Sequence, residues 1–240
     1  MNESSELNEL RQLVILFNNS TMSLMFKFAI WESMNDRQLI DVQNRNHTGN
    51  VFEYIRNSLL INCFLDIANL GKDVDRHFKL LSLEEIKRLL NNPKIRNELL
   101  TQLENKELII SYISSPPPKE YQDTMASERR TELISFFKSS LKSFDKKLKD
   151  SKFNHRLNVM WAIRSKIAAH TELAIEDDQL KSIDISTYGL KWDDISLLIK
   201  DLCEINKLLF AIVENSDLTC GSFESDMGFA ISNFWKPYIS

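Results

Sequence analysis

Apolar residues recur every three or four positions along most of the chain, which is the spacing of one face of an α-helix. The first such stretch covers residues 6–34, and its apolar positions are Leu10, Leu13, Val14, Phe17, Met22, Met25, Phe26 and Ile30. After a polar break at residues 44–50, residues 51–70 are apolar on most sides, which favours a helix buried between several neighbours. The pattern therefore predicts a long amphipathic helix followed by a central buried helix.

Start and stop signals divide the rest of the chain. Ser82 and Glu85 have the spacing of a capping box, and Pro93 ends the short helix that they open. We expect a helix over residues 94–112 and then an exposed connection at residues 114–119, where three consecutive prolines exclude a helix. Periodicity further predicts three long helices, over residues 126–149, 152–172 and 192–215.

Composition supports the same fold class. The 240 residues include only 5 Gly and 5 Pro, which leaves few turn formers for a strand-rich fold. We therefore expect an all-α protein with one helical domain over residues 1–216. Residues 217–240 are rich in aromatic side chains, so we expect this C-terminal extension to pack on the bundle.

Charge and cysteine usage narrow the classes of protein. A net charge of −4 argues against a protein that coats nucleic acid non-specifically. The acidic and polar N-terminus does not resemble a signal peptide, and no apolar run is expected to reach membrane-spanning length, so we expect a cytoplasmic protein with no membrane partner. The three cysteines are widely spaced and the histidines lack ligand spacing, so we expect reduced thiols and no metal site.

Arg164 and His170 lie six positions apart in the segment Arg-Ser-Lys-Ile-Ala-Ala-His. This segment resembles the R-x(4–6)-H signature of the HEPN ribonuclease superfamily, and more narrowly that of its U-type abortive-infection branch. Asp66 in Asn-Cys-Phe-Leu-Asp, the helix start at Ser82 and the segment Leu-Lys-Trp-Asp-Asp-Ile from Leu190 resemble the same branch in order. The resemblance covers approximately residues 6–215.

The resemblance implies a HEPN-like bundle of long antiparallel helices with short accessory helices, assembled as a homodimer. It also implies a metal-independent endoribonuclease of a phage-defence or toxin–antitoxin system, with RNA as substrate, no cofactor, and an antitoxin or other regulatory protein as a further partner. The residues that it assigns to catalysis are Arg164, His170, Ser165 and Asp66. Those expected to contact RNA are Lys166, Arg156 and Lys152.

Two positions depart from the family pattern. Glu172 stands where one subset has a tyrosine that a nucleotidyltransferase antitoxin modifies, which disfavours that form of control. Ser165 stands where the family most often has Asn, Asp or His. This keeps open a non-catalytic HEPN-like module that binds RNA, a nucleotide or a protein, and also a plain helical scaffold whose aromatic tail docks a partner.

Each of two charged features of the sequence has two possible interpretations. Asp66 is expected on a buried helix, where it would need a cation such as Arg164 or His170, or would form a purely structural salt bridge. The segment from Lys138 to Arg156 has seven basic residues against two aspartates. It is either a track for an RNA backbone or a solvated helix face.

Overall fold

The computed structural model describes residues 3–45, 48–71, 82–105, 118–169 and 189–216, together with residues 228, 230, 231 and 233–235 of the tail. Regular structure in these parts of the chain is helical, which confirms the all-α class. The helices are α1 (Ser5–Ser33), α2 (Arg37–Arg45), α3 (Gly49–Gly71), α4 (Leu83–Leu90), α5 (Pro93–Glu104), α6 (Lys119–Leu148), α7 (Ser151–Ala169) and α8 (Trp192–Val213).

Local signals explain most of these helix boundaries. The Ser82 hydroxyl accepts a hydrogen bond from the Glu85 backbone N–H at 3.3 Å, so the predicted cap opens α4. Asn92 caps α5 in the same way, and Pro93 occupies the first turn, where its missing N–H costs nothing. Asp150 lies between α6 and α7, and its carboxylate accepts hydrogen bonds from the backbone N–H groups of Lys152 and Phe153 at the start of α7.

Two boundaries differ from the prediction. α2 occupies residues that the polar composition had left without an assignment. α6 begins at Lys119, seven positions before the predicted start at Ala126, because Pro118 supplies an extended N-cap residue and the helix continues directly after it. The predicted ends of α5 at residue 112 and of α7 at residue 172 lie outside the described residues.

Four helices surround the core. α1 packs on α3 and on α8, α3 packs on α7, and α7 packs on α8, so that these four form a ring around the main apolar cluster. α1 and α8 are antiparallel, since contacts run from Arg11–Glu214 at one end to Trp31–Trp192 at the other. α6 packs on the outer side of α8, and α4 and α5 cover the start of α1.

A second, smaller apolar cluster lies at the end of α1. Met34, Leu39 and Phe52 are buried there, and the tail residue Trp235 packs against them. The indole N–H of Trp235 donates to the Ser33 hydroxyl at 2.9 Å, and its ring meets that of Phe52 edge to face at 6.3 Å between centroids. Trp235 therefore covers a side of this apolar cluster that α2 does not cover.

Within the described residues, α1 is the helix that is long and apolar enough to cross a membrane. The expectation that no apolar run reaches this length is wrong, because Asn18, Asn19 and Ser20 interrupt the run without adding charge. In this structure nine residues of α1 are buried, and the helix packs on α3 and α8. Its apolar face is therefore covered by protein.

Gly71, the last residue of α3, allows α3 and α7 to approach closely. A Cβ atom at this position would lie 2.7 Å from Cγ of Leu157, a buried core residue of α7. Such a contact forces side chains or backbone to move. The absence of a side chain at residue 71 therefore sets how α7 docks.

We predict that Gly71→Ala lowers the free energy of unfolding by about 1–3 kcal/mol, because overpacking outweighs the better helix propensity of alanine. Urea unfolding followed by circular dichroism measures the change. Gly228→Ala is the matched control, since a Cβ there meets nothing within 4 Å and should leave stability unchanged. A Gly71→Ala variant as stable as the wild type would contradict the close approach.

Candidate functional site

Arg164 lies near the C-terminal end of α7 and is half-buried. It follows Leu157 by seven positions, so the two side chains lie on the same face of the helix, about 10 Å apart along its axis. Because Leu157 meets Gly71, this face is the one that α7 turns towards α3. The arginine is thus half-buried on the side of α7 that faces α3, with part of its side chain open to solvent.

Ser165 is exposed on α7. Its hydroxyl donates a hydrogen bond to the backbone carbonyl of Trp161, one turn earlier, at 3.0 Å. A serine hydroxyl within a helix commonly donates to the backbone carbonyl four residues earlier in this way. The bond directs the hydroxyl along the helix backbone.

Two other residues of the predicted site fall at the limit of the described chain. Lys166 belongs to α7 by its backbone, but its side chain lies outside the described residues. His170 directly follows the last described residue of α7 and also lies outside them. The expected pairing of Arg164 with His170 therefore stays a prediction.

Asp66 has a different partner from the one expected. Its Oδ2 accepts from Nζ of Lys27 on α1 at 2.7 Å, and both side chains are about one-third exposed. The structure gives it Lys27 rather than Arg164 as its cation, because α3 turns this carboxylate towards α1, and His170 lies outside the described residues. The structural salt bridge is the alternative that the geometry supports.

One pattern in the sequence indicates this ion pair. Lys27 interrupts the apolar run Leu-Met-Phe-Lys-Phe of α1, just as Asp66 interrupts that of α3. Two isolated opposite charges on apolar helices that pack together are a reason to expect an ion pair. Next to this pair, burial raises the pKa of the Cys63 thiol to about 12, and the Asp66 carboxylate adds to the effect.

The basic segment from Lys138 to Arg156 separates into two groups. The first group consists of Lys147 and Arg156, which point towards α8 and share the carboxylate of Asp201 at 2.6 Å each. Lys147 also contacts Glu204, and Arg156 lies 3.9 Å from Asp194. Burial acts to lower the pKa of Lys147, but the hydrogen bonds to Asp201 and Glu204 outweigh it and raise that pKa.

Arg156, one of the expected RNA contacts, is therefore already matched by carboxylates. Only 14% of its side chain is exposed, and the same fraction applies to Asp201. Its position indicates that it joins α7 to α8. Lys152, another expected contact, is exposed at the start of α7.

The second group comprises the exposed lysines of this segment in the last turns of α6 and at its C-cap, which we call the α6 lysine stripe: Lys138, Lys142, Lys146 and Lys149. They line an open groove of about 820 Å³ together with Leu141, Asp145, Asp150 and Ser151. Ser151 also lines a smaller cavity of about 350 Å³, whose other lining residues are Lys152, His155, Arg156 and Asp194. The groove and this cavity thus share Ser151, at the corner between α6 and α7.

No protein-family model matches the chain, and neither a curated protein nor a solved structure matches it significantly.

We predict that Lys27 and Asp66 are coupled energetically. Lys27→Met and Asp66→Asn should each lower the free energy of unfolding, and a double-mutant cycle should give a coupling of about 0.5–1 kcal/mol, as for a partly exposed ion pair. Urea unfolding of the four proteins measures it. Strictly additive effects would show that Asp66 interacts elsewhere.

We further predict that Asp201→Asn destabilises the protein by about 2 kcal/mol, between the values for exposed and buried pairs, because it leaves Lys147 and Arg156 short of a carboxylate. Glu204→Gln is the control, since that side chain is 61% exposed and should cost less than about 0.5 kcal/mol. Equal losses for both variants would show that Asp201 does not hold the helices together.

Proposed function

We propose that the protein is a metal-independent endoribonuclease of the HEPN type, acting in phage defence or a toxin–antitoxin system. The observation that carries the proposal is the position of Arg164 near the C-terminal end of α7 in an all-helical bundle, six positions before His170. The half-buried position of Arg164 supports it, because partial burial restricts the directions in which the side chain can point.

The two side chains supply what RNA cleavage without a metal requires. The 2′-hydroxyl of a ribose attacks the adjacent phosphate, and the 5′-oxygen of the next nucleotide leaves, which yields a 2′,3′-cyclic phosphate. Histidine has an unperturbed pKa of about 6.5, so His170 is suited to move protons at the attacking and leaving oxygens near neutral pH. The permanently charged fork of Arg164 is suited to stabilise the negative charge on the phosphate.

Helix geometry favours a site shared by two copies of the chain. Six residues correspond to about 9 Å of rise and about 120° of rotation, so a single helix holds Arg164 and His170 on different sides. A two-fold dimer that packs this end of α7 against its copy would place both pairs in one cleft. We therefore propose a cytoplasmic homodimer whose activity an antitoxin or other regulatory protein restrains.

Ser165 favours a second candidate function. Its hydroxyl is engaged with the carbonyl of Trp161, so it is not directed at its neighbour Arg164. Position 165, where the family most often has Asn, Asp or His, thus carries a hydroxyl that bonds within its own helix, which suits a non-catalytic module that binds RNA, a nucleotide or a protein partner. Under this alternative, the same cleft holds its ligand without cleaving it.

We predict that induced expression of the wild type in a bacterial host arrests growth and fragments total RNA. His170→Ala and Arg164→Ala should each abolish both effects, because one removes the proton carrier and the other the charge that stabilises the transition state. Growth curves and electrophoresis of total RNA measure the outcome at matched soluble protein levels. Arg129→Ala, which removes an exposed arginine of α6, is the control and should remain toxic.

If the wild type is harmless while purified protein still binds RNA, the binding module replaces the nuclease. If the Arg164→Ala and His170→Ala variants are as toxic as the wild type, the proposed catalytic pair is wrong.

A further inference from the structure

The α6 lysine stripe has the geometry of a continuous row of positive charge. Lys138, Lys142, Lys146 and Lys149 lie within about 80° of one another around the helix, and they extend for about 16 Å along it. Lys147, by contrast, lies on the other side of α6, where it contacts α8. The stripe is therefore the part of the basic segment that faces away from α8.

Ion pairs among the residues that the structure describes do not neutralise the stripe. Elsewhere the exposed helix surfaces alternate charge, as in the pairs Glu84–Lys87, Glu85–Arg88 and Arg129–Glu132. In the described part of the chain, no carboxylate forms an ion pair with the lysines of the stripe. The two acidic residues of the groove are Asp145 and Asp150, and Asp150 is held by backbone N–H groups at the start of α7.

Such a row carries an energetic cost that a ligand can relieve. Lysines four positions apart on one helix face repel each other by a few tenths of a kcal/mol per pair. A molecule with negative charges at regular intervals would remove this repulsion and release its own counterions. A small anion could match only one or two of the lysines, so the length of the stripe favours a linear polyanion.

The groove also borders α7, the helix that carries Arg164. Ser151 lines both the groove and the neighbouring cavity, and Lys152, which lines that cavity, lies about 18 Å along α7 from Arg164. A strand that extends from the groove past this corner thus meets the helix that carries Arg164. A single row of charge on one helix matches one phosphate backbone.

We propose that the α6 lysine stripe binds the phosphate backbone of single-stranded RNA and that Lys152 continues this track onto α7. The choice of RNA rests on the proposed function. The contacts are to phosphates, so the binding is independent of base sequence and strongly dependent on salt.

The experiment measures binding separately from cleavage. Fluorescence anisotropy with a labelled 20-nucleotide oligouridylate is carried out in the His170→Ala background, so that the strand stays intact. The test variant is Lys138→Ala/Lys142→Ala/Lys146→Ala. The control variant is Lys94→Ala/Lys119→Ala/Lys207→Ala, which removes the same charge from exposed positions outside the groove.

We expect the stripe variant to bind at least tenfold more weakly at 0.1 M salt. The slope of log affinity against log salt should fall by about 2, since each lost phosphate contact on a single strand contributes about 0.7. The control should stay within twofold of its parent, and replacing the same three lysines by arginine should retain binding. Circular dichroism confirms that all variants are folded.

Equal losses in the stripe and control variants, or no measurable binding by the parent, would overturn the inference. Tighter binding of a duplex RNA of the same length would overturn the assignment to a single strand. These outcomes are distinct from those of the nuclease test. If the wild type is toxic but the stripe variant binds RNA as tightly as its parent, the proposed function stands and the inference about the stripe fails. If RNA binding depends on the stripe but the wild type cleaves no RNA, the inference stands and the proposed nuclease fails.

Discussion

The arrangement of the basic surface depends on the ion pairs that the Asp201 carboxylate forms with Lys147 and Arg156. The carboxylate binds Lys147 at the end of α6 and Arg156 near the start of α7, so one residue of α8 holds both sides of the corner between these helices. Because its side chain is 14% exposed, this carboxylate has lost much of its hydration and needs both cations. Once Lys147 is fixed against α8, helical geometry turns the other lysines of α6 outward.

The position of α7 follows from a second contact at its other packed face. Gly71 lets α3 approach Leu157, and the same face of α7 carries Arg164 seven positions later. α7 is therefore held from both sides, by charge against α8 and by close apolar packing against α3. A helix fixed in this way presents its C-terminal end, where Arg164 lies, in a defined orientation relative to the bundle.

The two proposals use opposite ends of this helix. The lysine stripe lies at its N-terminal corner, where a phosphate backbone can bind without any particular base sequence. Arg164 lies towards its C-terminal end, where we propose that a cleft shared between two copies brings it together with His170. Asp66, which the family resemblance assigned to the site, instead joins α3 to α1 through Lys27 and so helps to hold the scaffold.

The sequence by itself determined the all-α class, the approximate bounds of α1, α3, α4 and α8, and the cap at Ser82. These features depend on periodicity and on hydrogen bonds between residues close in the chain, which a pattern of residue types records directly. Only the tertiary structure decided the partner of Asp66 and the division of the basic segment into paired and exposed lysines. Lys27 is 39 positions from Asp66, and Asp201 is 45 from Arg156, and which distant charges meet depends on how the helices pack.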